Sequence, residues 1–266
     1  MNAEATPAGA LAGSGGLAGS GAIVTGAARG LGQAIAELFL ASGANVLVVD
    51  RDARQLAAAT TMLADTHGPA RVAAVVADLA DEAAADRVVE YGQPQFGTLH
   101  VLVNNAGIVK YAPFLDTSSA LLRELLLIDV ESVFRMTQSF ARYLIAGSIQ
   151  GNIINIGSSH AETGVGGTAA YAAAKGAIHA LTRALAVELA PHGIRVNTAA
   201  FGTTATERVR NELPATVLEK RLRQIPLARA ATPQEAAGAV LHLTTAGYMT
   251  GATLMVDGGF TVFGDS

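Results

Sequence analysis

The segment Tyr171-Ala172-Ala173-Ala174-Lys175 sets a phenol and an ammonium four residues apart, on one face of an Ala-rich helix. Such a pair could move a proton. A tyrosine with a reference pKa of about 10 becomes a base at neutral pH only when its phenolate is stabilised, and a neighbouring ammonium does this. Lowering the pKa by about 3 units needs roughly 4 kcal/mol of differential stabilisation. Upstream, the apolar run Asn152-Ile153-Ile154-Asn155-Ile156 reads as a buried strand that ends in Gly157-Ser158-Ser159-His160. A hydroxyl at the carboxyl end of a strand is either a turn residue or, beside Tyr171, a hydrogen-bonding group for a substrate carbonyl or alcohol.

A second cluster could hold phosphate. The first apolar strand runs into Thr25-Gly26-Ala27-Ala28-Arg29-Gly30-Leu31-Gly32, and an amphipathic helix follows with Ile35, Leu38 and Phe39 on one side. Glycines permit a tight turn and let backbone N–H groups at the positive helix N-terminus approach a pyrophosphate. The spacing is G-x-x-x-G-x-G, which on its own reads equally as a structural turn. Its context favours phosphate: Val46-Leu47-Val48-Val49 ends in Asp50, 24 residues after Gly26. That is close to the roughly 20-residue offset at which an acid hydrogen-bonds an adenosine ribose. An anionic Asp50 repels a 2′-phosphate and favours NAD over NADP, whereas Arg29 and Arg51 could reach that phosphate and argue the other way.

These residues need a scaffold that brings strand ends together. Short β-branched runs at 22–25, 45–50, 71–77, 100–104, 152–157, 195–199 and 253–256 alternate with helical stretches. The helices are expected at 30–42, 53–66, 81–91, 117–146 with a break, 169–190, 205–223 and 233–245. The alternation predicts an α/β fold, a single doubly wound Rossmann domain with a seven-stranded parallel sheet flanked by helices. It would span 21–266, after a Gly/Ala/Ser-rich tail at 1–20 expected to be disordered.

Composition removes other classes. A charged fraction of 15% and a hydrophobic fraction of 50% exclude bulk disorder, and no apolar run is long enough to span a bilayer. A net charge of −4 would repel nucleic acid. Zero Cys removes disulfides, thiolate catalysis and Cys-ligated metals, and fits a cytoplasmic location; no metal site is expected.

From 21 to 260 the chain resembles the short-chain dehydrogenase/reductase family. The match rests on the 25–32 loop, Asp78 after the third strand, Asn104-Asn105-Ala106-Gly107 after the fourth, Ser158, Tyr171 with Lys175, and Asp257-Gly258-Gly259. Ser158 lies 13 residues before Tyr171, the separation usual in that family. The resemblance implies hydride transfer between a nicotinamide cofactor and a secondary alcohol or its ketone. Tyr171 would be the general acid/base, Ser158 would polarise the reacting oxygen, and Lys175 would bind the nicotinamide ribose and lower the Tyr171 pKa. Gly26, Arg29, Gly30, Leu31 and Gly32 would cradle the pyrophosphate, and Asp50 and Arg51 would meet the adenosine ribose. Asp78 and Leu79 would hold the adenine, Asn104, Ala106 and Gly107 the ribose side, and Gly202, Thr204 and Thr206 the nicotinamide end. A homodimer or homotetramer built on the Tyr171 helix and the one before it is implied as well.

The chain departs from the family pattern at Asp129, where Asn is usual, and at Ala200-Phe201-Gly202, where Pro precedes Gly. Asp129 is expected to join the catalytic set through its backbone and to shift the pH profile through its carboxyl. Phe201 is expected to add an aromatic wall. The substrate pocket is expected to draw on His160, Val165 and Phe201, with Glu162, Val209 and Leu213, and His160 and Lys110 are candidates for binding a carboxylate. Two rival readings are an NADP-dependent carbonyl reductase of the 3-oxoacyl type and a catalytically weak NAD-binding scaffold.

Overall fold

The computed structural model describes residues 16–212 and 214–262. Seven parallel strands form one sheet: β1 (Gly21–Thr25), β2 (Asn45–Asp50), β3 (Val72–Val76), β4 (Leu99–Asn104), β5 (Gly151–Ser158), β6 (Ile194–Phe201) and β7 (Thr253–Val256), in the order β3-β2-β1-β4-β5-β6-β7. The helices are α1 (Gly30–Ala41), α2 (Ala53–His67), α3 (Ala84–Phe96), α4 (Ser119–Leu126), α5 (Ser132–Ala146), α6 (Ala169–Leu189), α7 (Glu207–Glu212), α8 (Ala215–Arg223) and α9 (Pro233–Thr245). Among the described residues no helix is long and apolar enough to cross a membrane.

The continuous apolar strands follow from burial on both faces. Along β1, Ala22 and Val24 join a core with Ile35 and Phe39 of α1 and Val240 and Leu243 of α9. Ile23 turns to the opposite core, with Val88 of α3 and Met136 and Phe140 of α5. Helix starts are set by short polar side chains: Asp52 accepts from the Gln55 N–H at 3.0 Å, and Thr232 and Glu235 form a reciprocal capping box.

Four expectations change. Residues 1–15 of the expected tail lie outside the described residues, but 16–20 are part of the fold. Leu17 is wholly buried in the first core, and its N–H donates to the Ser42 carbonyl at 2.9 Å. The helix expected from 81 begins at Ala84, because Asp81 Oδ1 accepts from the Ala83 N–H and so caps the turn before it. That helix runs on to Phe96 through Gly92, where a Cβ would lie 2.9 Å from a Leu47 methyl; the glycine marks close helix-to-sheet packing and not an end. The helix expected across 205–223 is two, α7 and α8, with Pro214 at the N-cap of the second.

A buried polar chain ties the sheet to the helices beneath the site. Asn104 Nδ2 donates to Thr137 Oγ1 at 3.0 Å and to Asn155 Oδ1 at 2.9 Å. Asn155 Nδ2 donates to Thr182 Oγ1 at 2.9 Å, and Thr182 and Thr198 share a hydroxyl hydrogen bond of 2.7 Å. Asn155→Leu strands the Asn104 amide without water to replace its partner. The expected loss is about 2–3 kcal/mol of unfolding free energy, read as a lower urea midpoint at an unchanged m-value.

Candidate active site

A cleft of about 710 Å³ opens at the carboxyl ends of the strands, where the chain order reverses between β1 and β4. Two side chains join its halves. Thr25 Oγ1 donates to the Val103 carbonyl at 3.2 Å and accepts from the N–H groups of Asn105 and Ala106, each at 3.0 Å. Asn105 Nδ2 returns bonds to the carbonyls of Thr25 at 2.9 Å and Gly26 at 3.0 Å. Gly26 has φ +64°, and a Cβ there would lie 2.8 Å from the Ala106 Cα, so only glycine fits this crossing.

The phosphate-loop residues Gly26, Arg29, Gly30, Leu31 and Gly32 line one end of the cleft, together with Asp50, Arg51, Asp78 and Leu79. Asp50 Oδ2 accepts from the Ala28 N–H at 3.2 Å and Oδ1 from the Asp52 N–H at 3.1 Å, which holds the carboxylate against the loop. Ala106, Gly107, Gly202, Thr204 and Thr206 line the cleft as well, Ala106 against Gly26 and Thr206 against Gly30. Asn104 does not reach it: its amide is spent in the buried chain beneath the sheet. The neighbouring Asn105 takes the place at the cleft wall.

Ser158, Tyr171, Lys175 and Asp129 meet at the other end. Lys175 is buried on α6, one turn after Tyr171; its Nζ donates to the Ile156 carbonyl at 3.2 Å and lies 5.8 Å from the Tyr171 ring centre. Asp129 comes from the π-helical turn Leu127–Glu131 between α4 and α5, which is the expected break. Its carboxyl is wholly buried: Oδ1 is 3.4 Å from Lys175 Nζ and accepts from the Ile108 N–H at 3.1 Å, while Oδ2 has no partner. A Cβ on Gly107 would strike that Oδ1, so glycine permits the approach.

Burial raises the Asp129 carboxyl above the ordinary carboxylate range, against the pull of Lys175 and the Ile108 N–H. Burial also works to deprotonate Lys175, but the anionic partners Asp129 and Tyr171 outweigh it and hold the ammonium above its usual value. The Tyr171 phenol is likewise raised by burial. Lys175 and the Ser158 hydroxyl oppose that rise and Asp129 adds to it, so the net direction is opposite to the lowering expected from Lys175.

The substrate side holds an aromatic cluster. Tyr111 meets Tyr171 edge to face with centroids 5.9 Å apart, and His160 lies 5.8 Å from Tyr171 and 5.9 Å from Tyr111. Burial, with the Arg221 guanidinium adding to it, holds the His160 imidazole down to about 4, so it is neutral at physiological pH. Val165, Val209 and Phe201 line the same region, and Phe201 ends β6 opposite Ser158 in the register. Two candidates are engaged elsewhere: Lys110 Nζ bonds Glu124 at 2.6 Å, and Glu162 bonds His179 Nδ1 at 2.7 Å. Leu213 lies outside the described residues.

Residues 26–261 match the family described as Enoyl-(Acyl carrier protein) reductase. The chain belongs to the short-chain dehydrogenase/reductase family. It is 38% identical to galactitol 2-dehydrogenase (L-tagatose-forming) of Cereibacter sphaeroides, over 91% of this chain and 95% of that protein. It is 36% identical to a 3-oxoacyl-[acyl-carrier-protein] reductase of Synechocystis sp. (strain ATCC 27184 / PCC 6803 / Kazusa), over 91% and 97%. A solved structure of a Serratia marcescens short-chain dehydrogenase/reductase mutant superposes with TM-score 0.85 at 35% identity, covering 92% of this chain and 99% of that one. The protein is an NAD(P)-dependent oxidoreductase acting on CH–OH groups.

Sequence reasoning assigned no role to Tyr111, Arg221 or His179. Tyr111 sits in a loop, although it follows the Asn105-Ala106-Gly107 motif closely, and Arg221 falls in the helix expected at 205–223, where nothing in the sequence sets it at the cleft; His179, two turns after Tyr171 on the same helix, was the more legible. For this dehydrogenase/reductase the unusual Asp129 has a measurable signature. An ionised Asp129 disfavours the Tyr171 phenolate, so Asp129→Asn should move the acidic limb of the pH profile for alcohol oxidation down by about 0.5–1 pH unit. Superimposable pH–rate curves for the two proteins would show that the carboxyl is electrostatically silent.

Proposed function

We propose that this protein interconverts a secondary alcohol and its ketone with NAD(H), Tyr171 acting as general acid/base. The observation that carries the reading is the convergence of Tyr171, Ser158 and Lys175 on the cleft that the glycine loop and Asp50 also line. The donor set suits a dinucleotide: a glycine loop at the N-terminus of α1 that opens on the cleft, and a fixed carboxylate at Asp50 that suits ribose hydroxyls. Gly26, Gly30, Leu31 and Gly32 would hold the pyrophosphate, Asp78 and Leu79 the adenine, and Lys175, Thr204 and Thr206 the nicotinamide end.

When bound, the nicotinamide cofactor accepts or supplies the hydride. The protein handles the proton. In oxidation Tyr171 takes the hydroxyl proton from the substrate, and in reduction it returns one to the nascent alkoxide. Ser158 donates to the reacting oxygen and fixes its position. Lys175 stabilises the phenolate at short range, and Asp129 sets how strongly it does so. Burial of the group keeps water from competing for that proton.

A second reading, an NADP-dependent reductase of 3-oxoacyl type, is favoured by Arg29 and Arg51 at the same end of the cleft as Asp50. Exposed Phe134 on α5 and Val187 on α6 fit a homodimer or homotetramer built on these helices. Zero Cys fits the cytoplasm.

Calorimetric titration with NADH and NADPH should give the tighter binding to NADH, and Asp50→Ala should narrow or reverse the preference. Tighter NADPH binding by the unaltered protein would instead assign the arginines to the 2′-phosphate. Tyr171→Phe should lower kcat by about 10²–10⁴-fold while leaving cofactor affinity within about threefold. Unchanged turnover in that variant would remove Tyr171 from the reaction.

A further inference from the structure

We propose that the substrate of this site carries an anionic group, a carboxylate or a phosphate a few bonds from its carbinol carbon, and that Arg221 on α8 receives it above the Tyr111 ring. The inference rests on the reading that Tyr171 handles the reacting oxygen. The Arg221 guanidinium lies over Tyr111 at 5.2 Å, and Tyr111 stands edge-on to Tyr171 at 5.9 Å. Set end to end, these contacts put the guanidinium no more than about 11 Å from the Tyr171 ring centre. A short chain bridges that span.

Arg221 lines the cleft and is half-buried, yet among the described residues it forms no ion pair. The acidic groups that could neutralise it are committed elsewhere: Glu124 holds Lys110, Asp129 holds Lys175 and Glu162 holds His179. Glu207, exposed at the rim, makes no ion pair with it. The Tyr111 ring beneath the guanidinium holds it at the cleft wall, and a guanidinium is suited to receive a carboxylate or phosphate in bidentate fashion. Arg208 lines the same cleft, forms no ion pair among the described residues and adds a second positive charge. His160, which the sequence offered for this task, is neutral and contributes hydrogen bonding in place of charge.

The test is calorimetric titration of the protein saturated with its preferred reduced cofactor. The probes are 4-oxopentanoate and 5-oxohexanoate beside their methyl esters, and hydroxyacetone phosphate beside hydroxyacetone. At least one anion should bind about tenfold more tightly than its neutral partner, and the carboxylate and phosphate arms show which anion is preferred. The advantage should fall below about threefold in Arg221→Gln and persist in Val217→Ala, an exposed change on the same helix. Turnover should show KM rising by about tenfold in Arg221→Gln with kcat within about twofold. Equal affinity for every anion and its neutral partner, failure of every anion to bind, or an undiminished preference in Arg221→Gln overturns the proposal. Selective binding without turnover of any probe leaves the anion seat in place and counts against Tyr171 as the acid/base for these ketones.

Discussion

Lys175 carries its charge where water barely reaches, and everything around the reacting centre is arranged to make that tolerable. An ammonium taken out of water costs several kcal/mol unless opposite charge and hydrogen bonds replace its hydration. Here the Ile156 carbonyl supplies one bond and the Asp129 carboxyl supplies the charge. Asp129 can reach the ammonium because the chain widens into a π-helical turn at that point and because Gly107 leaves room on the opposite wall. The arrangement is self-consistent but tense, since Asp129 holds the proton on Lys175 and on Tyr171 while Lys175 works to remove it from both acids. An uncharged amide at position 129 would relax that coupling, which makes the carboxyl a tuning element of the centre.

The sheet delivers this centre to the same cleft as the glycine loop through chain reversal between β1 and β4. Strand ends are good platforms because ladder hydrogen bonds and two apolar cores fix their backbones, while side chains just beyond them are free to face the cleft. Ser158 and Phe201 illustrate this: they are paired in register at the ends of β5 and β6, so a shift in one strand would move both walls together.

The scaffold was readable because the inner strands are short apolar runs buried on both sides and some helix starts carry a polar cap, as at Asp52, Ser118 and Thr232. Errors arose where composition and packing conflict. Leu17 lies in a Gly- and Ala-rich stretch that resembles a tail, yet its side chain fills the first core. Gly92 looks like a stop, yet it is the point at which a helix presses closest on the sheet. In the site, Tyr171 and Lys175 were legible as neighbours on one helical face. Asn104 was misread because an asparagine at a strand end looks the same whether it faces the cleft or the interior, and here Thr137 and Asn155 draw it inward. Tyr111 and Arg221 were invisible for another reason: only the folded topology brings a loop after β4 against a helix after β6.

The bond between Thr25 and Val103 closes a loop of 78 residues, and the same crossing decides how the protein must be born. β1, β2 and β3 can pair with one another as soon as they are synthesised, but β1 then presents an unpaired edge until β4 arrives. That edge belongs to an interior strand of the finished sheet, apolar on both faces, and its open N–H and C=O groups are a template for any other extended chain. Synthesis of the segment through Asn105 closes that edge and brings the Thr25–Asn105 crossing together, and the open edge passes to β4 until β5 is made. Growth of the sheet on this side moves the exposed edge outward strand by strand, until it rests on the four-residue β7.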